Sequence, residues 1–326
     1  MNVLVIGGTG LLGYHATLEL LKRGHRVSVL ALPPLPVPDL FPASVSIQFG
    51  NLNLMDDDAV VSLLSGQDAV VFAAGADDRV TPIRPAYPYF YKQNVEPVKR
   101  LASLGRKTGL KKLVILGSYF AYFDRTWPRM KLSTWHPYIR SRVEQTRAAI
   151  EAGGDQVAVM TLELPYIFGT MPGRLPLWKP LIKYVASNLP LLYPRGGTTC
   201  VTVTQVAQSI AGAVERGEAG KCYPVGGENL TWEQLLQKFV AAAGKRKRVI
   251  ILSDGLVRLG TRLVKLLHQF QGREGGLDPV RFVELQTANT FIDPAGSQAA
   301  LGYGSGGLDE AIKDTVEVCL SKRHSQ

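Results

Sequence analysis

The chain has 326 residues, of which 46% are hydrophobic and 20% charged. This length suits one large domain or two smaller ones, and so ordinary a composition excludes fibrous, collagen-like and wholly disordered proteins. The 37 Lys and Arg residues against 27 Asp and Glu give a net charge of +10, which permits an anionic ligand, nucleic acid or membrane surface without requiring one. Cys200, Cys222 and Cys319 lie far apart without metal-ligand spacing, so we expect neither a disulfide framework nor a metal site.

The N-terminus lacks the basic segment and apolar core of a signal peptide, and no stretch reaches the roughly 20 apolar residues of a spanning helix. We therefore expect a cytoplasmic protein with no membrane span. The dense basic run Lys245-Arg246-Lys247-Arg248 lies between a predicted helix and a predicted strand. We interpret it as a solvated connection and not as a nucleic-acid site.

The first half alternates short apolar runs with helix-like segments. This alternation predicts an α/β fold with a doubly wound parallel (Rossmann) sheet, covered by helices on both faces. Asp56-Asp57-Asp58 opens one helix, and we interpret it as a cap, because carboxylates complement a helix N-terminus. The expected strands are 3–6, 27–31, 45–49, 69–73, 112–116 and 157–162, and the expected helices include 11–23, 93–108 and 138–152.

Beyond Leu164-Pro165 prolines cluster and strands become sparse. We place a domain boundary there, with a dinucleotide-binding domain over 1–164 and a smaller α+β substrate domain over 165–326, some of whose segments return to the first domain. Helices are expected at 204–216 and 231–243, the latter beginning with a Thr231/Gln234 capping box. For the amphipathic stretch 255–271 we favour core packing of the small domain over a membrane-surface helix.

The sequence Gly7-Gly8-Thr9-Gly10-Leu11-Leu12-Gly13 lies between the first strand and the first helix. A glycine at 7 permits a tight turn, one at 10 lets the backbone approach a pyrophosphate, and one at 13 lets the helix pack closely on the sheet. The helix N-terminus then offers free amide groups to the anion. This segment predicts a dinucleotide site.

The G-x-x-G-x-x-G spacing resembles that of the extended short-chain dehydrogenases/reductases, a group that includes nucleotide-sugar epimerases and dehydratases. The resemblance continues through Gly50-Asn51-Leu52, Ala73-Ala74-Gly75, Asn94-Val95, the segment 116–122, Pro165-Tyr166-Ile167-Phe168-Gly169 and Ala300-Leu301-Gly302-Tyr303. It implies NAD(P) as the cofactor, a small-molecule substrate and a homodimer formed through helices 93–108 and 138–152. The cofactor-binding residues it implies are Gly7, Thr9, Gly10, Leu11, Leu12, Gly13, Asn51, Leu52, Ala73, Ala74, Gly75, Tyr138, Arg142, Pro165 and Ile167.

The family's catalytic pattern of serine and Tyr-x-x-x-Lys is matched by Ser118 and by Tyr138 with Arg142 in place of lysine. The resemblance implies that Tyr138 transfers a proton, that Ser118 orients the substrate oxygen, and that Arg142 binds ribose and lowers the pKa of Tyr138. Arginine is longer and differently aimed than lysine, so the exchange is not conservative. His136 beside this motif is interpreted as structural.

Cofactor choice depends on the end of the second strand. Ala31 stands where NAD-preferring members carry an acid, and Leu32-Pro33 supplies no arginine for a 2′-phosphate. The missing acid removes a repulsion, so we lean to NADP. Asn51 replaces the usual aspartate beside adenine and can still accept a hydrogen bond.

We therefore expect an enzyme, an NAD(P)-dependent oxidoreductase that interconverts an alcohol and a carbonyl on a small organic substrate. Two alternatives remain open. One is nucleotide-sugar epimerisation by the same hydride chemistry. The other is a non-catalytic NAD(P)-binding sensor or assembly factor, because Arg142 stands where the family's catalytic lysine is expected.

Overall fold

The expected alternation of strands and helices is present in a computed structural model of the chain, which describes residues 1–321. The strands, in chain order, are β1 (Asn2–Ile6), β2 (Arg26–Ala31), β3 (Ser46–Phe49), β4 (Ala69–Phe72), β5 (Lys112–Ser118), β6 (Ala158–Leu164), β7 (Tyr166–Phe168), β8 (Leu191–Pro194), β9 (Gly197–Thr202), β10 (Cys222–Pro224), β11 (Glu228–Thr231), β12 (Val249–Leu252) and β13 (Asn289–Thr290). The six strands expected in the first half are confirmed, with small differences at their ends.

The helices connect these strands and cover the sheets. In chain order they are α1 (Leu11–Lys22), α2 (Asp57–Leu64), α3 (Tyr87–Phe90), α4 (Glu96–Thr108), α5 (Tyr119–Thr126), α6 (Leu132–Trp135), α7 (Pro137–Gly153), α8 (Lys179–Ala186), α9 (Val203–Arg216), α10 (Trp232–Ala242), α11 (Asp254–Phe270), α12 (Pro279–Gln286), α13 (Ala295–Leu301) and α14 (Leu308–Leu320). A π-helical turn, Tyr91–Val95, joins α3 to α4. Among the described residues no helix combines the length and the apolar character needed to cross a bilayer.

The large sheet has seven parallel strands in the order β10-β6-β5-β4-β1-β2-β3. The inner strands are apolar throughout because helices cover both faces; every residue of β4 is buried. One core packs α1 and α9 on one face, and a second packs α2, α4 and α7 on the other. The predicted doubly wound Rossmann sheet is therefore confirmed.

The second half builds a smaller sheet in which β9 pairs with β7, β11 and β13. A separate core beneath it gathers side chains of α8, α10 and α14. Strand β10 instead joins the large sheet beside β6, and α9 packs against α1. The division of the chain into two domains at residue 165 stays a prediction.

Capping residues account for several helix starts. The Asp56 side chain accepts a hydrogen bond from Ala59 N at 2.8 Å, so the capping role of the acidic triplet is confirmed. The Thr231/Gln234 capping box of α10 is also present. Helix α9 begins one residue earlier than expected, because Thr202 forms a second capping box with Gln205.

Helix α11 differs from the expectation of core packing. None of its residues is buried, and its leucines face solvent. The expectation is wrong because helical periodicity reports that a helix has an apolar face but not which way that face points.

Candidate active site

The glycine segment forms a tight turn from β1 into α1. Gly7 adopts a left-handed conformation with φ of 84°, and Gly10 N donates to Gly7 O at 3.0 Å. A Cβ on Gly13 would lie 2.3 Å from Gly7 O, so only glycine lets the helix pack this closely. No side chain caps α1 at Gly10, and the first amide groups of the helix are left open for an anion.

The other residues expected to hold the cofactor follow β3, β4 and β6, at the carboxyl edge of the sheet, where ligands bind in doubly wound folds. Asn51 Oδ1 closes a turn by accepting from Asn53 N at 3.1 Å, and Leu52 is buried. Gly75 ends the Ala73-Ala74-Gly75 segment with φ of 112°. In the strand register Ser118 pairs with Leu164, which places Pro165 beside Ser118 and Ile167 shortly after it in β7.

A π-helical turn links this edge to α7 through Asn94, which is fully buried. Asn94 Oδ1 accepts from Ala76 N at 2.9 Å, and Asn94 Nδ2 donates to Ser141 Oγ at 3.0 Å. Ser141 Oγ in turn donates to Tyr138 O at 2.7 Å. The chain of bonds fixes the first turn of α7 against the end of β4. Helices with a π turn often carry functional residues.

The structure brings Tyr138, Ser118 and Arg142 together. Tyr138 begins α7, Ser118 ends β5, and the Arg142 guanidinium carbon lies 5.2 Å from the centre of the Tyr138 ring. All three side chains are buried. Burial raises the pKa of Tyr138, while the Arg142 charge and a hydrogen bond with Ser118 oppose that rise. The net direction is upward, although Arg142 acts on the pKa in the direction expected from the sequence.

Arg142 also has an anchoring role. Its Nη1 donates to Leu116 O at 3.3 Å and to Gln145 Oε1 at 3.0 Å, and its Nη2 donates to Ala76 O at 3.0 Å. Buried Arg142 Nε has no partner among the described residues. This orphaned donor and the open amide end of α1 fit a ligand rich in acceptors, as a dinucleotide is.

The wall around Tyr138 is aromatic. The Phe90 ring meets the Tyr138 ring edge-on at 5.7 Å, and Phe120 lies at 6.4 Å. Further side chains of the same cluster are Tyr119, Phe123, Tyr166 and Phe282. The short helix α3 contributes the fully buried Phe90 to this wall.

Asp78 is an acid at this site that sequence reasoning missed. It lies close enough to Tyr138, Tyr119 and Tyr166 for its charge to raise the pKa of each. Burial, reinforced by the neighbouring Asp77, raises the pKa of Asp78 itself. The available signal was its position just after Gly75 at the strand tip, where sheet geometry places ligand contacts.

Segment 272–278 covers Tyr138 from the far end of the sequence. Tyr138 N donates to Gly276 O at 2.9 Å, and Asp278 N donates to His136 Nδ1 at 2.9 Å. Ala86 N donates to Glu274 Oε2 at 2.7 Å, which ties the segment to the aromatic helix α3. The structural interpretation of His136 is supported, because burial lowers the pKa of this side chain to about 4 and keeps it neutral.

Arg174, which is distant in sequence, also lies beside the glycine segment. Its Nε donates to Thr9 O in the glycine segment at 2.8 Å. The preceding Gly173 lies against the segment after β2, where a Cβ would be 2.4 Å from Pro36 O. A cation therefore lies between the glycine turn and the segment after β2, where the sequence offered none.

A model of the NAD dependent epimerase/dehydratase family matches residues 3–226. UDP-glucose 4-epimerase 3 of Oryza sativa subsp. japonica is 32% identical over 179 residues, which cover 49% of this chain and 48% of that enzyme. The chain thus spans about half the length of this curated relative.

Solved structures resemble the whole chain. One, gox2253, superposes with a TM-score of 0.79 and 23% identity over 97% of each chain. UDP-glucuronic acid 4-epimerase from Bacillus cereus, in complex with UDP-glucuronic acid and NAD, has a TM-score of 0.71 and 14% identity over 98% of this chain and 99% of that one. At such identities the likeness concerns the fold. The family model, which covers well over half of the sequence, shows that the chain belongs to the NAD dependent epimerase/dehydratase family.

Proposed function

We propose that the chain is an NAD(P)-dependent oxidoreductase that interconverts an alcohol and a carbonyl on a small organic substrate. The observation that carries this proposal is the meeting of Tyr138, Ser118 and Arg142 at the carboxyl edge of the sheet. The glycine segment and the helix N-terminus it opens would hold the pyrophosphate, and Arg142 Nε would hold ribose. When bound, the nicotinamide ring supplies the hydride donor or acceptor.

The protein's own residues move the proton. In reduction the Tyr138 hydroxyl gives its proton to the carbonyl oxygen, and in oxidation it takes the proton from the alcohol. Ser118 donates a hydrogen bond to the same oxygen. Because burial raises the pKa of Tyr138, the phenol is protonated at neutral pH and is ready for the reductive direction.

The aromatic wall and Asp78 support a small organic substrate. The side chains beside Tyr138 are mostly apolar, and Asp78, if ionised, would repel a substrate diphosphate placed there, whereas Asp77 is already paired with Arg79. Nucleotide-sugar epimerisation is the second candidate, favoured by the family and by the similarity to a UDP-glucose 4-epimerase. The commitment of Arg142 to backbone carbonyls favours the third, a binding protein without turnover.

The test measures NADH and NADPH oxidation with a panel of ketones and aldehydes, and epimerisation of UDP-glucose, in wild type and Tyr138→Phe. We expect ketone-dependent oxidation, reduced at least about 100-fold in Tyr138→Phe under conditions where the cofactor is still bound. Half-buried Tyr122→Phe is the matched control. Epimerisation without net cofactor oxidation would establish the second candidate. Tight cofactor binding with neither reaction would establish the third.

We further propose that NADP is the preferred cofactor. Strand β2 ends at Ala31 without an acid, and Arg174 provides a cation between the glycine turn and the segment after β2. A guanidinium is well matched to a phosphate. The absence of an acid removes a repulsion against NADP, and Arg174 adds a positive charge that would attract its 2′-phosphate.

Homodimerisation through α4 and α7 and a cytoplasmic location are likewise proposals. The first rests on the family resemblance, and sedimentation equilibrium of the purified chain tests it. Localisation of the tagged full-length protein tests the second.

A further inference from the structure

Helix α11 carries an apolar stripe that no other part of the described chain covers. Leu256, Leu259, Leu263, Leu266 and Phe270 recur at spacings of three and four residues, which aligns them along one helical face. Their exposed fractions run from 49% for Leu266 to 87% for Phe270. Single exposed apolar residues are ordinary, but a continuous stripe of this kind marks an interaction surface.

The opposite face of α11 fixes the helix to the protein. Lys265 Nζ donates to Asp278 Oδ2, and the Arg258 guanidinium lies 3.9 Å from the Glu284 carboxylate of α12. Thr261 and His268 are half-buried on the same side. The helix is therefore held by polar contacts and presents its leucines outward, the reverse of a helix that packs on a core.

The charge around the stripe is strongly positive. Residues 245–273 contain eight Lys or Arg and one Asp, a net charge of +7 out of the chain's +10. The single acid, Asp254, is bound by Arg195 at 2.8 Å. Arg258 and Arg262 lie along one flank of the stripe, and both are exposed. The basic run 245–248 precedes the helix by one short strand, β12, whose Ile250 and Ile251 are also exposed.

We propose that α11 is a docking helix for the surface of an anionic phospholipid bilayer. The leucine stripe and Phe270 enter the boundary between headgroups and acyl chains, while Arg262 contacts lipid phosphates. A leucine-rich face flanked by Lys and Arg on a helix too polar to span is the composition of interfacial helices. A second copy of the chain fits less well, because pairing two such stripes would bring like charges together.

The test is vesicle flotation of the full-length protein with pure phosphatidylcholine and with equimolar phosphatidylcholine and phosphatidylglycerol. We expect the protein to float only with the anionic vesicles and to be released by high salt. Arg262→Gln should lower the vesicle partition coefficient roughly five-fold. The exposed Arg147→Gln on α7 is the matched control and should leave it unchanged.

The stripe is tested by Leu263→Ser and Phe270→Ser, each expected to lower partitioning roughly ten-fold. The equally exposed Leu177→Ser serves as the control. Because both target side chains are exposed, the variants should keep the melting temperature of wild type. Wild-type protein that stays unbound with anionic vesicles, or variants that bind as wild type does, would overturn the proposal. So would a dimer in sedimentation equilibrium that Phe270→Ser dissociates.

Discussion

Tyr138 and Arg142 lie one helical turn apart on α7, and the Arg142 guanidinium also donates to Leu116 O and Ala76 O. Arg142 thus joins the ends of β4 and β5 while its charge acts on Tyr138 from 5.2 Å. A lysine could hold at most part of this network, because it has a single donor atom. Arg142, which replaces the family's lysine, therefore also has a structural role, because it links the ends of β4 and β5.

That double role predicts different outcomes for two substitutions. Arg142→Lys keeps the charge but leaves a buried carbonyl without its donor, so the free energy of unfolding should fall by about 1–3 kcal/mol. Its kcat should stay within about ten-fold of wild type, whereas uncharged Arg142→Met should lose about 100-fold or more. Urea unfolding and steady-state kinetics measure the two effects. Equal activity of both variants would show that the cation takes no part in turnover.

We expect a larger residue at position 276 to disturb the packing of Tyr138. A Cβ there would lie 2.5 Å from Phe90 Cζ and 2.9 Å from Tyr138 Cβ. Gly276→Ala must push the covering segment or the tyrosine aside, at a cost of about 1–3 kcal/mol in stability. We expect kcat/KM to fall about ten-fold or more. Gly296→Ala is the control, because nothing lies near its new methyl group. Unchanged kinetics in Gly276→Ala would show that the cover does not position Tyr138.

We expect substitution of Arg174 to change the selectivity between NADPH and NADH. Arg174→Gln should raise the Kd for NADPH roughly ten-fold and leave the Kd for NADH nearly unchanged, since a phosphate loses a charged partner. Titration of intrinsic fluorescence with each cofactor measures this ratio. Arg129→Gln, far from the glycine turn, should alter neither constant. An equal loss for both cofactors would assign Arg174 to the shared pyrophosphate.

We expect the buried His136 to make the folded protein less stable in acid. Burial lowers its pKa to about 4, from 6.5 in the unfolded chain. Between these values the unfolded state binds more protons, so stability falls as pH drops from about 6.5 to about 4. This one group should account for about 3 kcal/mol. Urea unfolding across this range should show a shallower decline in His136→Asn, whose amide oxygen can still accept from Asp278 N. Parallel curves would contradict the assignment.

The buried carboxylate of Glu163 predicts a further pH effect. Arg125 binds it through two hydrogen bonds of 2.9 Å and 2.8 Å, and Glu163 is 1% exposed. Arg125→Met leaves a buried charge without a partner and should cost about 3–5 kcal/mol. Burial raises the pKa of Glu163, and removal of Arg125 raises it further. The variant should therefore be less stable at pH 8 than at pH 5.

The corresponding exposed pair, Arg195 with Asp254, serves as the control. Arg195→Met should leave the unfolding midpoint in urea unchanged at both pH values, because water solvates the freed carboxylate. If the two arginine variants behaved alike, burial of Glu163 would not be the cause.

Sequence patterns were sufficient for the sheet because its inner strands are buried on both faces and read as uninterrupted apolar runs. Glycines with positive φ follow the ends of two helices in this half, Gly24 after α1 and Gly66 after α2. The four-residue spacing of Tyr138 and Arg142 placed them on one helical face, as found. Their roles in binding and catalysis stay predictions.

Other site features could not be read from the sequence. Arg174 and Gly276 reach the site through tertiary contacts far along the chain, and neither belongs to a local motif. Asp78 owes its raised pKa to burial that composition does not reveal. The outward leucines of α11 show the same periodicity as inward ones. Each of these features depends on the environment of a side chain, whereas the motifs depend on spacing.

The hydrogen bond from Tyr138 N to Gly276 O has a consequence for biosynthesis. When the ribosome has released the chain only as far as α10, every strand of the large sheet is available to pair, but the partner of the tyrosine's amide has not yet emerged. The environment of Tyr138 is therefore completed late, and a nascent or prematurely terminated polypeptide lacks the segment that covers this tyrosine.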